Sequence, residues 1–422
     1  MFASLLFRTL VLASAVGSSG KPMPLSSHGS EMVAPKRHAK LYKSSDALAS
    51  LLLAGVGSSR NQVSTVRSVP LMKTMVDINP LQIEWGHQSP QIPIPGNIQE
   101  GAPPLPFEIT DEQRQRFHED GVLHIPGFLS KDWVEYLRSA TDWQISHPHV
   151  WSMPGVLSGI YDYIQRGVWT SNDAFANFLY YSPLASALAG IANADELRLS
   201  TDLLMVNPNK GFAWHQDNQN GPMEAFEGQN SLRWWVTLDD CPPDHGAPVY
   251  LKGSHRNEKV SKDAVYVDLE KDELNKYGEL LEFRPRAGDL IVWHAKAIHK
   301  IDGPKSQDWD ARKRRVYGGT VAVNDVNYIA KFDFSDMSPH TLQHGDPLKS
   351  SAFPKIYPNS DPAERALRAQ GRCMKTAEGV WRVWKKAFFG TGEMGSWLKV
   401  LSPNKKEVEV DEPVQIGTAR KI

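Results

Sequence analysis

The chain has 422 residues, of which 47 are basic and 48 are acidic, so its net charge at pH 7 is −1. This balance gives no indication of a nucleic-acid partner. Two cysteines, Cys241 and Cys373, are too few for a disulfide framework or a zinc cluster. No run of about 18 apolar residues occurs, so no membrane span is expected.

The two ends of the chain differ in composition from its centre. Residues 1–76 begin with an apolar stretch around Arg8 and continue rich in Ser, Lys and Arg with few acids. This composition predicts a targeting or disordered segment, with import into a mitochondrion as the first expectation and a plastid or the secretory route as alternatives. Residues 77–106 are predicted to be a Pro-rich linker. After the central domain, residues 359–422 are predicted to form a helical extension, over 361–382, and a polar tail.

The first predicted element is a capped helix over residues 110–121 that ends at Gly121. It contains His118-Glu119-Asp120, one of three His-x-Asp triplets in the chain. Side chains two positions apart diverge on a helix, so His118 and Asp120 are predicted to be solvated surface groups. Another triplet, His344-Gly345-Asp346, has no later histidine that could act as a further ligand.

Several segments in the centre of the chain predict short β-strands, because they are rich in β-branched and aromatic residues and are bounded by turn-forming residues. They lie within residues 199–206, 231–238, 246–255, 288–294 and 315–322. The segment 246–255 is predicted to be a short strand that ends in a Gly-Ser turn, and 288–294 is predicted to be a turn that leads into a strand. Many short strands separated by turns favour a sandwich or a barrel over a helical bundle. Within 231–238, the adjacent Trp234 and Trp235 must face opposite sides of a strand, so one of them is predicted to be ordinary core.

The remaining triplet, His215-Gln216-Asp217, lies between strand-like runs. On a strand, alternate side chains share a face, so His215 and Asp217 can bind one metal ion. A histidine from a distant strand, His299, would complete a set of two histidines and one carboxylate, and His294 competes with it for that role. Such a set leaves three coordination positions open, as in non-haem Fe(II) oxygenases.

A basic cluster follows these histidines. An arginine is suited to hold the far carboxylate of 2-oxoglutarate through paired, charge-assisted hydrogen bonds. Arg312, Arg314 and Arg315 are all candidates for this contact, and a solvated basic loop is the alternative interpretation.

The segment from about Phe107 to Pro358 resembles the phytanoyl-CoA dioxygenase family of Fe(II)/2-oxoglutarate-dependent oxygenases. The resemblance covers roughly three fifths of the chain. It implies a mainly β domain over residues 107–358, a double-stranded β-helix (jelly-roll) with flanking helices. The matching pieces are Phe117–Gly121, Trp214–Asp217, Gly246-Ala247-Pro248, Gly253-Ser254-His255, Gly288-Asp289 and Arg314-Arg315.

The resemblance also implies roles for individual residues. His215, Asp217 and His299 would bind iron, while His294 resembles a histidine that is not a ligand in the family. Arg314 would bind 2-oxoglutarate, because it precedes a strand as the family's arginine does, and Trp235 would line the cosubstrate pocket. The chain departs from the family after the distal histidine, where Lys300-Ile301 replaces Gly-Ser, so one hydroxyl contact to the cosubstrate is missing.

The function implied is that of an Fe(II)/2-oxoglutarate-dependent dioxygenase acting on a small organic substrate. It would consume O₂ and 2-oxoglutarate, release succinate and CO₂, and oxidise a C–H bond. Hydroxylation is the default result, and desaturation or cyclisation can follow from the same radical. Asp217 argues against a halogenase, in which that position is vacant for chloride. The alternative from another class is a catalytically silent jelly-roll binding protein.

Overall fold

The computed structural model describes residues 88–99, 101–149, 152, 161–209, 211–217, 231–242, 245–257, 274, 276–305, 313–329 and 342–369. All of them belong to the unit Thr74–Ile422. The predicted targeting segment, Arg312, the predicted helix beyond residue 369 and the polar tail lie outside the described residues. No helix among those described has the length and apolar character needed to cross a membrane.

Among the described residues, five of the six α-helices and two strands come before Leu197, and the other nine strands follow before the last helix. The helices are α1 (Asp111–Asp120), α2 (Lys131–Ser146), α3 (Val168–Ser171), α4 (Asp173–Tyr181), α5 (Leu184–Ala192) and α6 (Pro362–Ala369). The strands are β1 (Val122–Ile125), β2 (Tyr161–Arg166), β3 (Leu197–Pro208), β4 (Phe212–His215), β5 (Ser231–Thr237), β6 (Pro248–Leu251), β7 (Leu280–Glu282), β8 (Leu290–His294), β9 (His299–Ile301), β10 (Arg315–Val323) and β11 (Lys355–Tyr357).

The strands form two antiparallel sheets. The larger sheet has the order β1-β8-β5-β10-β3-β11, with β2 paired to β3, and the smaller has the order β4-β9-β6-β7. Trp235, Ile291 and Val316 of the larger sheet pack with Tyr250 of the smaller one in a buried cluster. This arrangement confirms the predicted jelly-roll fold class.

The opposite face of the larger sheet carries the main hydrophobic core. Tyr317 of β10 packs with its ring centre 5.3 Å from that of Trp234 and 5.7 Å from that of Phe178 in α4. Because neighbouring side chains on a strand point to opposite faces, Trp234 joins this core and Trp235 joins the cluster between the sheets. The prediction that one of the two is ordinary core is confirmed.

The predicted strands agree with the observed ones to within a few residues, with one difference. The predicted turn at 207–209 is partly strand, since β3 continues to Pro208. The segment 246–255 is a short strand, β6, followed by a turn, as predicted; the turn is a 3₁₀ turn, Ser254–Arg256, that begins after Gly253 in the left-handed conformation (φ 73°).

Helix α1 is capped as predicted, but Asp120 at its end is buried and not exposed to solvent. Thr110 and Gln113 form a reciprocal capping box, and Gly121 ends the helix with φ 75°. His118 is exposed, as predicted. The prediction that Asp120 is solvated was wrong, because the end of the helix packs on the turn after β6 and Asp120 is only 8% exposed. Its carboxylate lies 3.2 Å from Lys252 Nζ.

The described part of the predicted linker packs on the domain. Ile92, Ile94 and Ile98 are partly buried against the main core. Gln88 Nε2 donates to the carbonyl of His147, and Gln144 Nε2 donates to Gln88 Oε1. These contacts tie residues near 88 to the end of α2.

Asp202 on β3 has a buried carboxyl group, and this burial predicts that the stability of the protein depends on pH. Its Oδ2 accepts from the Trp169 backbone and from Tyr317 Oη, while Oδ1 has no partner among the described residues. Burial raises the pKa of Asp202 to about 7. A carboxyl with a raised folded-state pKa stabilises the fold below its unfolded pKa, and this stabilisation is lost as the pH rises through the folded pKa.

Asp202→Asn imitates the protonated side chain, so the variant should lack this loss. We expect the free energy of unfolding of the wild type to fall relative to that of the variant between pH 5 and pH 8, by an amount on the order of a few kcal/mol. Urea unfolding of both proteins at the two pH values measures the difference. Parallel pH profiles of the two proteins would show that Asp202 does not titrate as its burial implies.

Candidate metal centre

Two paired strands and the residues after one of them bring the three predicted metal ligands together. Strands β4 and β9 are antiparallel, and their register places His215 directly opposite His299. The centres of the two imidazole rings are 4.1 Å apart. Asp217 lies just beyond β4, which ends at His215, so the expectation that both residues lie on one strand holds only for His215. The Asp217 amide donates to the carbonyl of Ala295, and this bond fixes the residue after the strand.

The distances among these side chains suit a single metal ion. His215 Nε2 lies 4.0 Å from Asp217 Oδ1, and His299 Nε2 lies 3.6 Å from Asp217 Oδ2. One ligand atom from each of the three residues lies within 4.8 Å of the others. Two donor atoms that each lie about 2 Å from one ion are at most about 4 Å apart, so the two measured distances from Asp217 fall within the range that a shared ion allows.

Both histidines are oriented by backbone carbonyls. His215 Nδ1 lies 2.8 Å from the carbonyl oxygen of Ala213, and His299 Nδ1 lies 3.0 Å from that of Ala297. A carbonyl can only accept, so each Nδ1 carries the proton and each Nε2 presents a lone pair to the common centre. The residues present therefore fit a divalent metal ion held by two imidazoles and one carboxylate.

His294, the competing candidate for the third ligand, lies outside this group. Its Nδ1 accepts from the backbone amide of Lys296, and its ring centre is 5.2 Å from that of His255. The structure thus brings His299, and not His294, to His215 and Asp217.

The electrostatics of the group favour the forms that bind a metal. Burial alone would raise the pKa of Asp217, but the charge of Arg233 and the neighbouring His299 and His215 outweigh it and hold this pKa below its usual range. Burial lowers the pKa of His299 to about 4. At neutral pH the carboxylate is ionised and this imidazole is neutral, as metal ligands must be.

Two residues that sequence reasoning missed hold Asp217 in place. Trp293 Nε1 donates to Asp217 Oδ2 at 3.0 Å, and Arg233 Nη2 donates to the Asp217 carbonyl at 2.5 Å. Arg233 also donates to Thr320 Oγ1. The periodicity of β5 could have indicated Arg233, since it lies two positions from Trp235 and shares its face. Trp293 could be assigned only from the pairing of β8 with β5.

Trp293→Phe is expected to weaken metal binding, because it removes the hydrogen bond that orients the Asp217 carboxylate. Losing such an outer partner typically lowers metal affinity about 10–100-fold. Titration of the metal-free protein with Co(II) measures the change. Trp143→Phe is the matched control, since Trp143 lies in α2, stacks on His147 just after that helix, and is not part of the cavity lining. Equal affinities of the wild type and Trp293→Phe would show that this contact is dispensable.

The predicted cosubstrate residues line the same cavity as the three ligands. Arg314 is 2% exposed, and its guanidinium carbon lies 5.6 Å from the centre of the Trp235 ring. Among the described residues, no carboxylate pairs with Arg314. Arg315 faces away and is bound by Asp239 and Asp142. Arg314 is therefore a buried cation that can pair with an anionic ligand in the cavity.

Comparison with protein families gives one match. Residues 117–313 match the family model described as phytanoyl-CoA dioxygenase (PhyH). The matched range contains the three candidate metal ligands and Trp235, and it ends one residue before Arg314. No curated protein matches the sequence.

Comparison with solved structures found the following three, among others. The non-heme alpha ketoglutarate dependent carbocyclase SnoK from nogalamycin biosynthesis is 19% identical over 60% of this chain and 99% of that chain, with a TM-score of 0.47. The epimerase SnoN from the same biosynthesis is 21% identical over 58% and 97%, with a TM-score of 0.49. EctD from S. alaskensis, with 2-oxoglutarate and 5-hydroxyectoine, is 16% identical over 62% and 92%, with a TM-score of 0.45. These values are too low to support any statement about the reaction.

Proposed function

We propose that this chain oxidises a C–H bond of a small organic substrate. By the match of residues 117–313 to the family model, it belongs to the phytanoyl-CoA dioxygenase family of Fe(II)/2-oxoglutarate-dependent oxygenases. Hydroxylation is the default reaction. In it, one oxygen atom of O₂ enters the C–H bond and the other enters succinate, while 2-oxoglutarate loses CO₂. Desaturation or cyclisation of the substrate is the variant outcome.

The observation that carries this proposal is the combination of ligands and cation in one cavity. His215, Asp217 and His299 offer three donors, so an iron ion bound there keeps positions for further ligands. Arg314 lines the same cavity as a buried cation that no described carboxylate neutralises. A 2-oxo acid with a second carboxylate matches both features, since one end can reach the metal and the other can pair with the guanidinium.

Each residue has a role that follows from its contacts. His215, Asp217 and His299 would hold the iron, which supplies, when bound with 2-oxoglutarate and O₂, the oxidant for the C–H bond. Ala213 and Ala297 fix the imidazoles through their carbonyls, and Trp293 and Arg233 fix Asp217. Arg314 would orient 2-oxoglutarate through its far carboxylate, with Trp235 against the guanidinium.

The remaining wall of the cavity suggests where a substrate binds. Leu203, Met205 and Phe212 line it with apolar surface, while Arg166 and Thr201 add polar groups. A substrate with an apolar part beside the reacting carbon and a polar group to fix its orientation would match this lining.

The test is turnover by the full chain, purified without metal and supplied with Fe(II), 2-oxoglutarate, O₂ and pooled small metabolites. We expect one metabolite to be consumed with formation of succinate. Relative to that metabolite, the product should be heavier by about 16 mass units after hydroxylation, or lighter by about two after desaturation or cyclisation. A protein that binds neither metal nor 2-oxoglutarate would instead be a silent jelly-roll binding protein.

A further inference from the structure

We propose that the hydroxyls of Tyr161 and Tyr250 join the Arg314 guanidinium in binding the far carboxylate of 2-oxoglutarate. This inference rests on the proposed function and adds two residues to it. It is based on the positions of three polar groups, the Arg314 guanidinium and the two tyrosine hydroxyls, none of which is a ligand in the metal centre.

Arg314 is the first of the three. Its side chain is buried, and its Nε has no hydrogen-bond partner among the described residues. A planar guanidinium supplies two parallel donors to a carboxylate. The carboxylate has about four acceptor sites, so this pairing leaves room for about two more donors.

Tyr161 lies on β2 and lines the same cavity as Arg314. It is only 2% exposed, and its ring packs 6.0 Å from that of Phe212, between centres. Burial raises the pKa of Tyr161, and the neighbouring Arg314 guanidinium opposes that rise. The hydroxyl lies within hydrogen-bonding reach of the guanidinium. Because it keeps its proton, it can also donate to a carboxylate.

Tyr250 approaches from the smaller sheet. Strand register places it opposite His299, and its ring stacks on that imidazole with 5.5 Å between the centres. Its hydroxyl is fully buried beside the indole of Trp235, which also lies against the Arg314 guanidinium, and no described group accepts the hydroxyl proton. A buried O–H without an acceptor is costly, so a bound carboxylate would satisfy it.

The next strand of the smaller sheet contributes no donor at this place. Ile301 of β9 lines the cavity with an apolar side chain. The two tyrosines thus supply, from opposite sheets, the single donors that complete a carboxylate site around Arg314. Such a site selects 2-oxo acids with a second carboxylate over those with an apolar tail.

The experiment compares two ligands that differ only at the far end. Tyr161→Phe, Tyr250→Phe and the wild type, each loaded with Mn(II) under anaerobic conditions, are titrated with 2-oxoglutarate and with 2-oxopentanoate by calorimetry. 2-Oxopentanoate keeps the 2-oxo acid end and has a methyl group in place of the far carboxylate. Tyr163→Phe is the control, since Tyr163 is a buried tyrosine on the same strand whose hydroxyl donates to Gln165.

We expect each of the two test variants to bind 2-oxoglutarate about 10-fold or more weakly, because a hydrogen bond to a charged group is lost. Binding of 2-oxopentanoate should not change, and Tyr163→Phe should match the wild type with both ligands. Equal 2-oxoglutarate binding by the wild type and both test variants would overturn the inference, and so would an equal loss with both ligands. A wild type that binds no 2-oxoglutarate with Mn(II) would overturn the proposed function itself.

Discussion

Replacement of His299 by alanine is expected to abolish metal binding and 2-oxoglutarate turnover, whereas His294→Ala should retain much of both. His299 Nε2 points to Asp217 and lies within the three-ligand group, while His294 accepts a hydrogen bond from its own turn. The loss of an outer-shell partner alone typically lowers metal affinity 10–100-fold, so the loss of a ligand should cost more than about 100-fold. Titration with Co(II), together with measurement of succinate formation, gives both quantities.

The same result is expected for His215→Ala and Asp217→Ala. All of these side chains line an open cavity, so each variant should remain folded, which its circular dichroism spectrum would show. Full activity of a His215 or Asp217 variant would contradict the oxygenase assignment. Activity that depends on His294 and survives without His299 would move the third ligand to β8.

Replacement of Arg314 by alanine is expected to raise the 2-oxoglutarate concentration needed for half-maximal turnover by about 30-fold or more. Truncating one partner of a buried charged contact typically costs roughly 2–5 kcal/mol, and 1.4 kcal/mol corresponds to about a factor of ten. Affinity for Co(II) should change little, because the described side-chain contacts of Arg314 are with Trp235 and Tyr161 and not with the metal ligands.

Arg315→Ala is the neighbouring variant with a different expected defect. Arg315 lies on the other face of the sheet, where it binds Asp239 and Asp142 and is 5% exposed. Its removal should leave the 2-oxoglutarate requirement near that of the wild type but lower the free energy of unfolding, by roughly 3 kcal/mol or more. A larger cosubstrate defect in Arg315→Ala than in Arg314→Ala would reverse the two assignments.

The sequence by itself determined the local elements and the residue types of the site. The capping pair Thr110 and Gln113, with Gly121 at the end, specified α1 from short-range hydrogen bonding alone. The alternation rule separated Trp234 from Trp235 before any sheet was known. The order of His215, Asp217, His299 and the arginine pair indicated the chemistry, because few combinations of side chains serve Fe(II) and a 2-oxo acid together.

Only the tertiary structure decided questions that depend on contacts between distant segments. Whether His294 or His299 meets His215 depends on the register between β4 and β9, which local sequence does not specify. The separate surroundings of Arg314 and Arg315 arise where β10 enters the larger sheet, with Asp142 and Asp239 on one side and the cavity on the other.

The burial of Asp120 and the contact from Trp293 to Asp217 also depend on distant segments of the chain. Each joins residues more than 70 positions apart, and only the folded chain brings such residues within hydrogen-bonding distance.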